Sequence, residues 1–253
     1  MRESSQYLAK KSKLAKVLTI YGRNAVYEAL LDRGVVSLKL HLASSNKKAK
    51  IIDDMLLVCS QENIEVVYHD KLALSRISKN AKQDQGVALD IKMDNFFSQE
   101  EFISLNASYR LLAIDGVSNP QNLGMIIRSA AAGKISGIII SAKGTSSINP
   151  LVVKASAGTI FKIPIIQTAN LVETLKYFQA SKGVVYTLSL DAKKSYKQIA
   201  YSDKSIFVLG NETHGVSKEI QSICNKSIVI PMNRGVESLN VAMSASILAF
   251  CLD

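Results

Sequence analysis

Many of the features that mark common enzyme and binding classes are missing from these 253 residues. Only three cysteines occur, Cys59, Cys224 and Cys251, widely spaced and with no Cys-x-x-Cys. Neither a disulfide framework nor a zinc ribbon can be assembled from them. They read as reduced, mostly buried thiols, and the expected compartment is the cytoplasm. The three histidines, His41, His69 and His214, are scattered without metal-ligand spacing, so no metal is expected. The thirteen glycines never form Gly-x-Gly-x-x-Gly, and Gly210-Asn-Glu-Thr-His-Gly215 continues Val-Ser where a P-loop needs Lys-Ser or Lys-Thr. A conventional dinucleotide or P-loop site is therefore disfavoured. The absence of Gly-x-Ser-x-Gly removes the nucleophile elbow of the α/β-hydrolases. Long apolar runs are absent too. The most apolar stretch, Leu239 to Leu252, is 14 residues broken by Asn240, Ser244 and Ser246, short of the ~18 that a spanning helix needs, and no membrane association is expected.

What is present excludes disorder: 47% of the residues are hydrophobic and 21% charged, enough to bury cores in one large or two small domains. Lys+Arg number 31 against Asp+Glu 21, a formal charge of +10 that points to an anionic partner, with nucleic acid first in that group. The surplus is uneven. Residues 1–108 hold 16 basic and 13 acidic side chains, whereas residues 109–253 hold 15 and 8. The opening MRESSQYLAKKSKLAKVL lacks the apolar core of a secretory signal and carries five basic residues against Glu3. Residues 1–18 read as a flexible basic arm, with an organelle-targeting presequence as the other reading.

Hydrophobic periodicity divides the rest. Asn24 is expected to cap a helix running to about Arg33, with Gly34 as its left-handed stop. The alternating Val36-Ser-Leu-Lys-Leu-His-Leu predicts a half-buried strand. Helices over 47–61 and 71–81 and strands over 65–68 and 85–91 complete an α/β module spanning 19–94. Residues 95–108 are polar and broken in pattern, which predicts a linker. From residue 109 the alternation restarts in a more apolar form. Strands are expected at 111–115, 135–141, 161–166, 184–190, 206–210 and 227–231, with helices over 122–132, from Asn149-Pro150 to Gly158, and from Val241 onward. That is the pattern of a parallel sheet.

Three polar clusters each follow a predicted apolar strand, where open α/β sheets place their ligands. In Asn119-Pro-Gln-Asn-Leu-Gly-Met-Ile-Ile-Arg128, Asn122 can cap the helix, and Gly124 shares a face with Arg128. A mid-helix glycine costs roughly 1 kcal/mol, so something is expected to pack close beside the arginine; a plain cap and a surface arginine are the alternative. The second cluster, Leu209 to Gly215, offers exposed amides and the Glu212 carboxylate, or is simply a strand-to-helix turn. The third, Ile230 to Val241, leads into a helix with small residues at Ala242, Ala245, Ser246 and Ala249, suited to close packing against the sheet or a second subunit.

Together these clusters resemble the SpoU/TrmH family of RNA 2′-O-ribose methyltransferases, of the SPOUT superfamily. The family's first motif stands as Asn122, Gly124 and Arg128, its second as Leu209-Gly210-Asn211-Glu212 with Gly215, and its third as Ile230-Pro231-Met232, Gly235 and Ser238-Leu239-Asn240-Val241. Lys154-Ala-Ser-Ala-Gly158, Tyr21-Gly-Arg-Asn-Ala-Val-Tyr-Glu-Ala29 and Gln85-Gly86 are similar to it as well. The nearest subgroup is the 23S rRNA guanosine-2′-O-methyltransferases (TrmH group 3). The resemblance implies an α/β SPOUT fold with a deep C-terminal trefoil knot over 109–253, preceded by a small ribosomal-protein-like domain that binds RNA. It implies S-adenosylmethionine as cofactor, held around Gly210, Ile230, Met232 and Leu239. The implied catalytic set is Arg128, Asn122, Glu212, Ser238 and Asn240, in a homodimer formed through the knotted domain. Ribosomal RNA is the leading substrate and transfer RNA the runner-up; a non-catalytic RNA-binding or ribosome-assembly protein is the alternative of another class.

A free guanidinium is effectively always protonated at the pH where proteins work, so the general-base role often given to this arginine is physically awkward for Arg128. Gripping a phosphate and stabilising a developing alkoxide suits it better, with Glu212 or a water taking the proton. Arg23 and Asn24 are weak candidates for RNA contact in the first domain. Two departures from the family pattern are Lys134, where an apolar residue is usual, and Asn233-Arg234, which sets a charge beside the cofactor loop.

Overall fold

The computed structural model describes residues 17–251, so the expected basic arm lies outside the described residues except for Val17 and Leu18, which begin a strand. The chain divides into two compact units, residues 1–94 and 95–253.

In the first unit the elements run β1 (Val17–Tyr21), α1 (Arg23–Leu31), β2 (Val36–Ala43), α2 (Lys50–Gln61), β3 (Glu65–His69), α3 (Lys71–Ser78) and β4 (Val87–Lys92). The strands lie in the order β1-β4-β2-β3, with β4 antiparallel to both neighbours and β2 parallel to β3. Alternation along β2 sends Leu40 and Leu42 to one face and His41 and Ala43 to the other; Ala43 packs with Ala88 and Leu74 of α3. Asn24 is not the cap of α1. That place belongs to Gly22, and Asn24 is the exposed second helical residue. Gly34 is not left-handed either: the helix ends at Leu31, and the Asp32 carboxylate accepts the Gly34 N–H at 2.8 Å.

A polar row crosses all four strands. Thr19 Oγ1 donates to Asp90 Oδ1 (2.6 Å), Asp90 Oδ2 meets His41 Nε2 (3.1 Å), and His41 Nδ1 shares a hydrogen bond with His69 Nε2 (2.9 Å). Burial pushes the Asp90 carboxyl up, but hydrogen bonds from His41 and Thr19, with the charges of His41 and Lys39, outweigh it and hold the group below its ordinary value.

The second unit carries β5 (Phe96–Phe97), α4 (Gln99–Leu105), β6 (Tyr109–Ile114), α5 (Pro120–Ala132), β7 (Gly137–Ser141), α6 (Pro150–Ala155), β8 (Ile165–Thr168), α7 (Leu171–Ala180), β9 (Val184–Leu188), β10 (Lys204–Leu209), α8 (Lys218–Ile223), β11 (Lys226–Ile228) and α9 (Val241–Cys251). Its seven strands form one sheet in the order β11-β9-β10-β6-β7-β8-β5, and every pairing is parallel. The central strands are apolar on both faces, as a helix-covered parallel sheet requires: Leu111, Leu112, Ala113, Ile138, Ile139, Ile206 and Val208 are all inaccessible to solvent.

The expected linker 95–108 is instead part of this unit. β5 pairs with β8, Asn95 Nδ2 donates to the carbonyls of Ile160 and Ile163, and α4 carries a Ser98–Glu101 capping box. Phe102 of α4 is 1% exposed among Tyr109 and Phe178. The segment looks polar because a two-turn amphipathic helix needs few apolar residues to cover its inward side. Two boundaries also move. Gly158 does not end α6, which stops at Ala155; with φ +74 it precedes a 3₁₀ turn over Thr159–Phe161, so β8 begins at Ile165 rather than at 161. β11 stops at Ile228, Val229 makes an isolated parallel bridge with Ser195, and the residues from Ile230 to Asn240 are irregular.

The chain leaves β6 toward β7 and leaves β10 toward the opposite edge, so the loops after these two adjacent strands separate into a crevice. From the edge strand β11 the chain returns to the middle of the unit. There α9 lies on α5, with a Ser129–Ser246 hydroxyl contact of 2.8 Å and the Lys134 N–H donated to Ala249 O at 2.8 Å.

A carboxylate whose folded pKa is depressed gives stability that is present above its unfolded value and lost as pH falls through its folded value. Asp90→Asn should therefore flatten the acid limb of urea-unfolding stability below about pH 4; an acid limb identical to wild type would contradict the role given to this row.

Candidate functional site

Asn119, not Asn122, caps α5: its Oδ1 accepts the N–H groups of Gln121 and Asn122 (2.8 and 3.4 Å), and Pro120 takes the first helical position. The Asn122 side chain is thereby released for longer-range contacts. Only 7% exposed, it donates from Nδ2 to Glu212 Oε1 (2.8 Å) and accepts at Oδ1 from Asn240 Nδ2 (3.2 Å). Asn240 Oδ1 in turn accepts the Ala242 N–H at 2.8 Å, closing the first turn of α9. Residues from all three sequence clusters thus meet in one hydrogen-bonded chain.

Glycine is required where the backbones converge. A Cβ on Gly210 would stand 2.1 Å from Gly215 C and Val216 N, because Asn211 and Gly215 exchange two backbone hydrogen bonds of 2.9 Å. A Cβ on Gly124 would stand 2.5 Å from Ala155 Cβ. What packs beside that glycine is therefore α6. Arg128 is exposed and, among the described residues, has no hydrogen-bond or ion-pair partner.

A cavity of about 470 Å³ opens at this end of the sheet, within the roughly 300–1,000 Å³ usual for small-molecule sites. Gly210, Ile230, Met232 and Leu239 all line it, as do Glu212 and Ser238; Asn122, Asn240 and Arg128 do not. Asn122 and Asn240 instead brace Glu212 and the start of α9. The wall that sequence reasoning missed is Leu188 to Asp191, at and just beyond the end of β9, where no polar motif interrupts an ordinary strand end. The lining is apolar at Leu188, Leu209, Ile230 and Leu239, and acidic at Asp191, Glu212 and Glu237. Among the described residues that line it there is no lysine, arginine or histidine. In a chain of net charge +10 this cavity suits a ligand with an apolar ring and a cationic group, and is poorly suited to a polyphosphate.

Burial, with the Asp115 charge beside it, pushes the Cys224 thiol up to about 11, which leaves no thiolate nucleophile there at neutral pH. Among the described residues no group of three His, Cys, Asp or Glu is placed to hold a metal ion, and no helix is long and apolar enough to cross a membrane.

The all-parallel sheet with a cavity beyond the ends of β9 and β10, together with a separate α/β module, is the frame of a two-domain α/β enzyme, and its relatives place it among the RNA methyltransferases. Residues 109–250 match the SpoU rRNA methylase family, and residues 19–97 match the substrate-binding domain of RNA 2′-O ribose methyltransferases. The chain belongs to the SpoU rRNA methylase family. It is similar to an uncharacterized tRNA/rRNA methyltransferase of Mycobacterium leprae, with 28% identity over 233 residues, covering 90% of this chain and 74% of that one. Its fold is shared with the SpoU methyltransferase AviRb of Streptomyces viridochromogenes, solved with AdoMet (TM-score 0.64, 19% identity, 95% and 90% of the two chains). It is shared also with a TrmH-family protein of Porphyromonas gingivalis (TM-score 0.64, 25% identity, 98% and 97%).

Gly210→Ala should destabilise the second unit by about 1–3 kcal/mol through overpacking, whereas Gly235→Ala, whose Cβ meets nothing within 4 Å, should lose only the smaller cost of its left-handed φ. Urea midpoints check this; equal losses would contradict the close approach at Gly210.

Proposed function

We propose that the protein transfers a methyl group from S-adenosylmethionine to a ribose 2′-hydroxyl of RNA, with a guanosine of 23S ribosomal RNA the first substrate to test and transfer RNA the second. The observation that carries this reading is the Glu212–Asn122–Asn240 chain beside a cavity lined by three carboxylates and, among the described residues, no basic side chain. Family membership and the substrate-binding match over residues 19–97 support it. Bound there, the cofactor supplies a methyl group already activated by a positive sulfur. Gly210, Ile230, Met232 and Leu239 would hold it, with the carboxylates of Asp191, Glu212 and Glu237 complementing its positive groups. The run from β11 to α9, which brings the chain from the sheet edge back over α5, is the segment expected to thread the trefoil knot.

In this mechanism Asn122 fixes the Glu212 carboxylate, and Glu212 or a water takes the proton of the 2′-hydroxyl. Ser238 and Asn240 line and brace the reacting end. Arg128 stays cationic, grips the neighbouring phosphate and stabilises the developing alkoxide. Much of the rate comes from holding hydroxyl and methyl donor in line.

Arg128 does not line the cavity of its own chain. It is exposed on α5 three residues from Met125 (42% exposed), and the two helices packed on α5 carry further exposed apolar side chains, Leu151 of α6 (48%) and Met243 and Phe250 of α9 (60% and 55%). An arginine amid exposed apolar side chains on a helical face is typical of an interface. The reading is a homodimer through the second unit, in which Arg128 serves the partner's cavity.

RNA would be gripped first by unit one. There Arg23 is no free contact residue: its guanidinium donates to Gln85 O and Asn46 Oδ1 (both 3.3 Å), bracing loops 44–49 and 79–86 against the start of α1. The braced loops carry the exposed Lys47, Lys48, Lys79 and Lys82, which make no ion pair among the described residues.

The test incubates the full chain with labelled S-adenosylmethionine and ribosomal or transfer RNA and maps the methylated atom. A 2′-O-methyl ribose is expected; a methylated base, or no transfer to either RNA, would overturn the proposal. Arg128→Ala and Glu212→Ala should each be inactive, while co-expression of the two should restore about a quarter of wild-type activity, from the one intact site in each mixed dimer. No restoration would place Arg128 in its own chain's site.

A further inference from the structure

Two side chains outside the proposed catalytic set tie together the loops that leave β6 and β10. Asn211 Nδ2 donates to Gly116 O at 2.8 Å, across 95 residues of sequence, while its Oδ1 accepts the N–H groups of Thr213 (2.8 Å) and His214 (3.2 Å). In the other direction Asp115 Oδ2 accepts the Ser217 N–H at 2.8 Å. Each ligates the opposite loop, so the segment 210–217 is held at both ends. The receiving side is itself fixed: Gly116 is left-handed (φ +75), its N–H donates to Thr145 Oγ1 at 3.2 Å, and the Asp115 N–H donates to Leu209 O at 2.8 Å.

The held segment includes Glu212 and the cavity-lining Gly210, Thr213, Gly215 and Val216. Asn211 is spent on these contacts, since its acceptor serves two amides and one of its two donor hydrogens serves the Gly116 carbonyl. We propose that Asn211 and Asp115 are positioning residues: a two-point latch across the switch-point crevice that presets the cavity wall and the Glu212 carboxylate for the cofactor. The proposal rests on the reading of this cavity as the S-adenosylmethionine site. Without the latch the segment would have to be ordered when the cofactor binds, and that cost would appear as lost affinity.

Asn211→Asp keeps the acceptor for Thr213 and His214 but has no hydrogen to give Gly116 O; because Asn211 also lines the cavity, the added negative charge alone would favour a cationic cofactor, so weaker binding reports the lost cross-loop bond. Titration calorimetry with S-adenosylmethionine on the full chain, at a temperature where circular dichroism shows wild type and variant both folded, should give at least a tenfold weaker Kd. Asp115→Ala should weaken binding similarly, and Asp115→Asn, which restores an acceptor for the Ser217 N–H, should recover most of the loss. A purely structural role would lower the thermal midpoint and leave Kd of the folded protein unchanged. Folded Asn211→Asp and Asp115→Ala binding within twofold of wild type would overturn the latch. Wild type failing to bind S-adenosylmethionine would instead overturn the cofactor reading.

Discussion

The buried amide of Asn122 is the constraint on which the site depends. A polar side chain removed from water is costly unless both its donor and its acceptor are used, and Asn122 uses them on Glu212 and Asn240, residues 90 and 118 positions away. Those two bonds hold the turn after β10 and the entry to α9 against α5. Other choices in the chain serve the same end. Asn119 takes over the capping of α5, so that Asn122 need not. Gly124 and Gly133 let α6 and α9 seat on either flank of α5, since a Cβ at Gly133 would come within 2.4 Å of Ala249 O.

Electrostatics divides the labour. The net charge of +10 suits a polyanionic substrate, yet the cavity beyond β9 and β10 has no basic side chain among its described lining residues and gathers three carboxylates. A protein that merely coated RNA would have no use for such a reversal. An enzyme that brings a cationic methyl donor to an anionic strand needs both features.

Much of this was legible in the sequence because the second unit follows the rules of a buried parallel sheet. Strands such as Gly137–Ser141 and Lys204–Leu209 announce themselves by continuous apolar runs, and polar clusters after them mark the ligand end. The four cofactor candidates implied by the family resemblance, Gly210, Ile230, Met232 and Leu239, lie on one cavity. Short-range rules failed where two residues competed for one task. Asn119 and Asn122 can each cap a helix, and only the three-dimensional demand for Asn122 at Glu212 decides between them. Residues 95–108 look like a linker because β5 and α4 are too short for periodicity to separate from noise, although Phe96 and Phe102 supply the burial. Asp191 and Arg128 show the remaining limit. A loop side chain after an unremarkable strand has no local signature, and which way an arginine on a two-sided helix faces depends on α6 and α9, far away in sequence.

The central claim is that Asn122 joins the sequence clusters into one cofactor-binding unit, and a double-mutant cycle tests it most directly. Asn122→Ala, Glu212→Ala and the double variant would be compared by S-adenosylmethionine affinity on folded protein. The account predicts a coupling energy of at least about 1 kcal/mol between the two positions, whereas losses that add to within about 0.5 kcal/mol would contradict it.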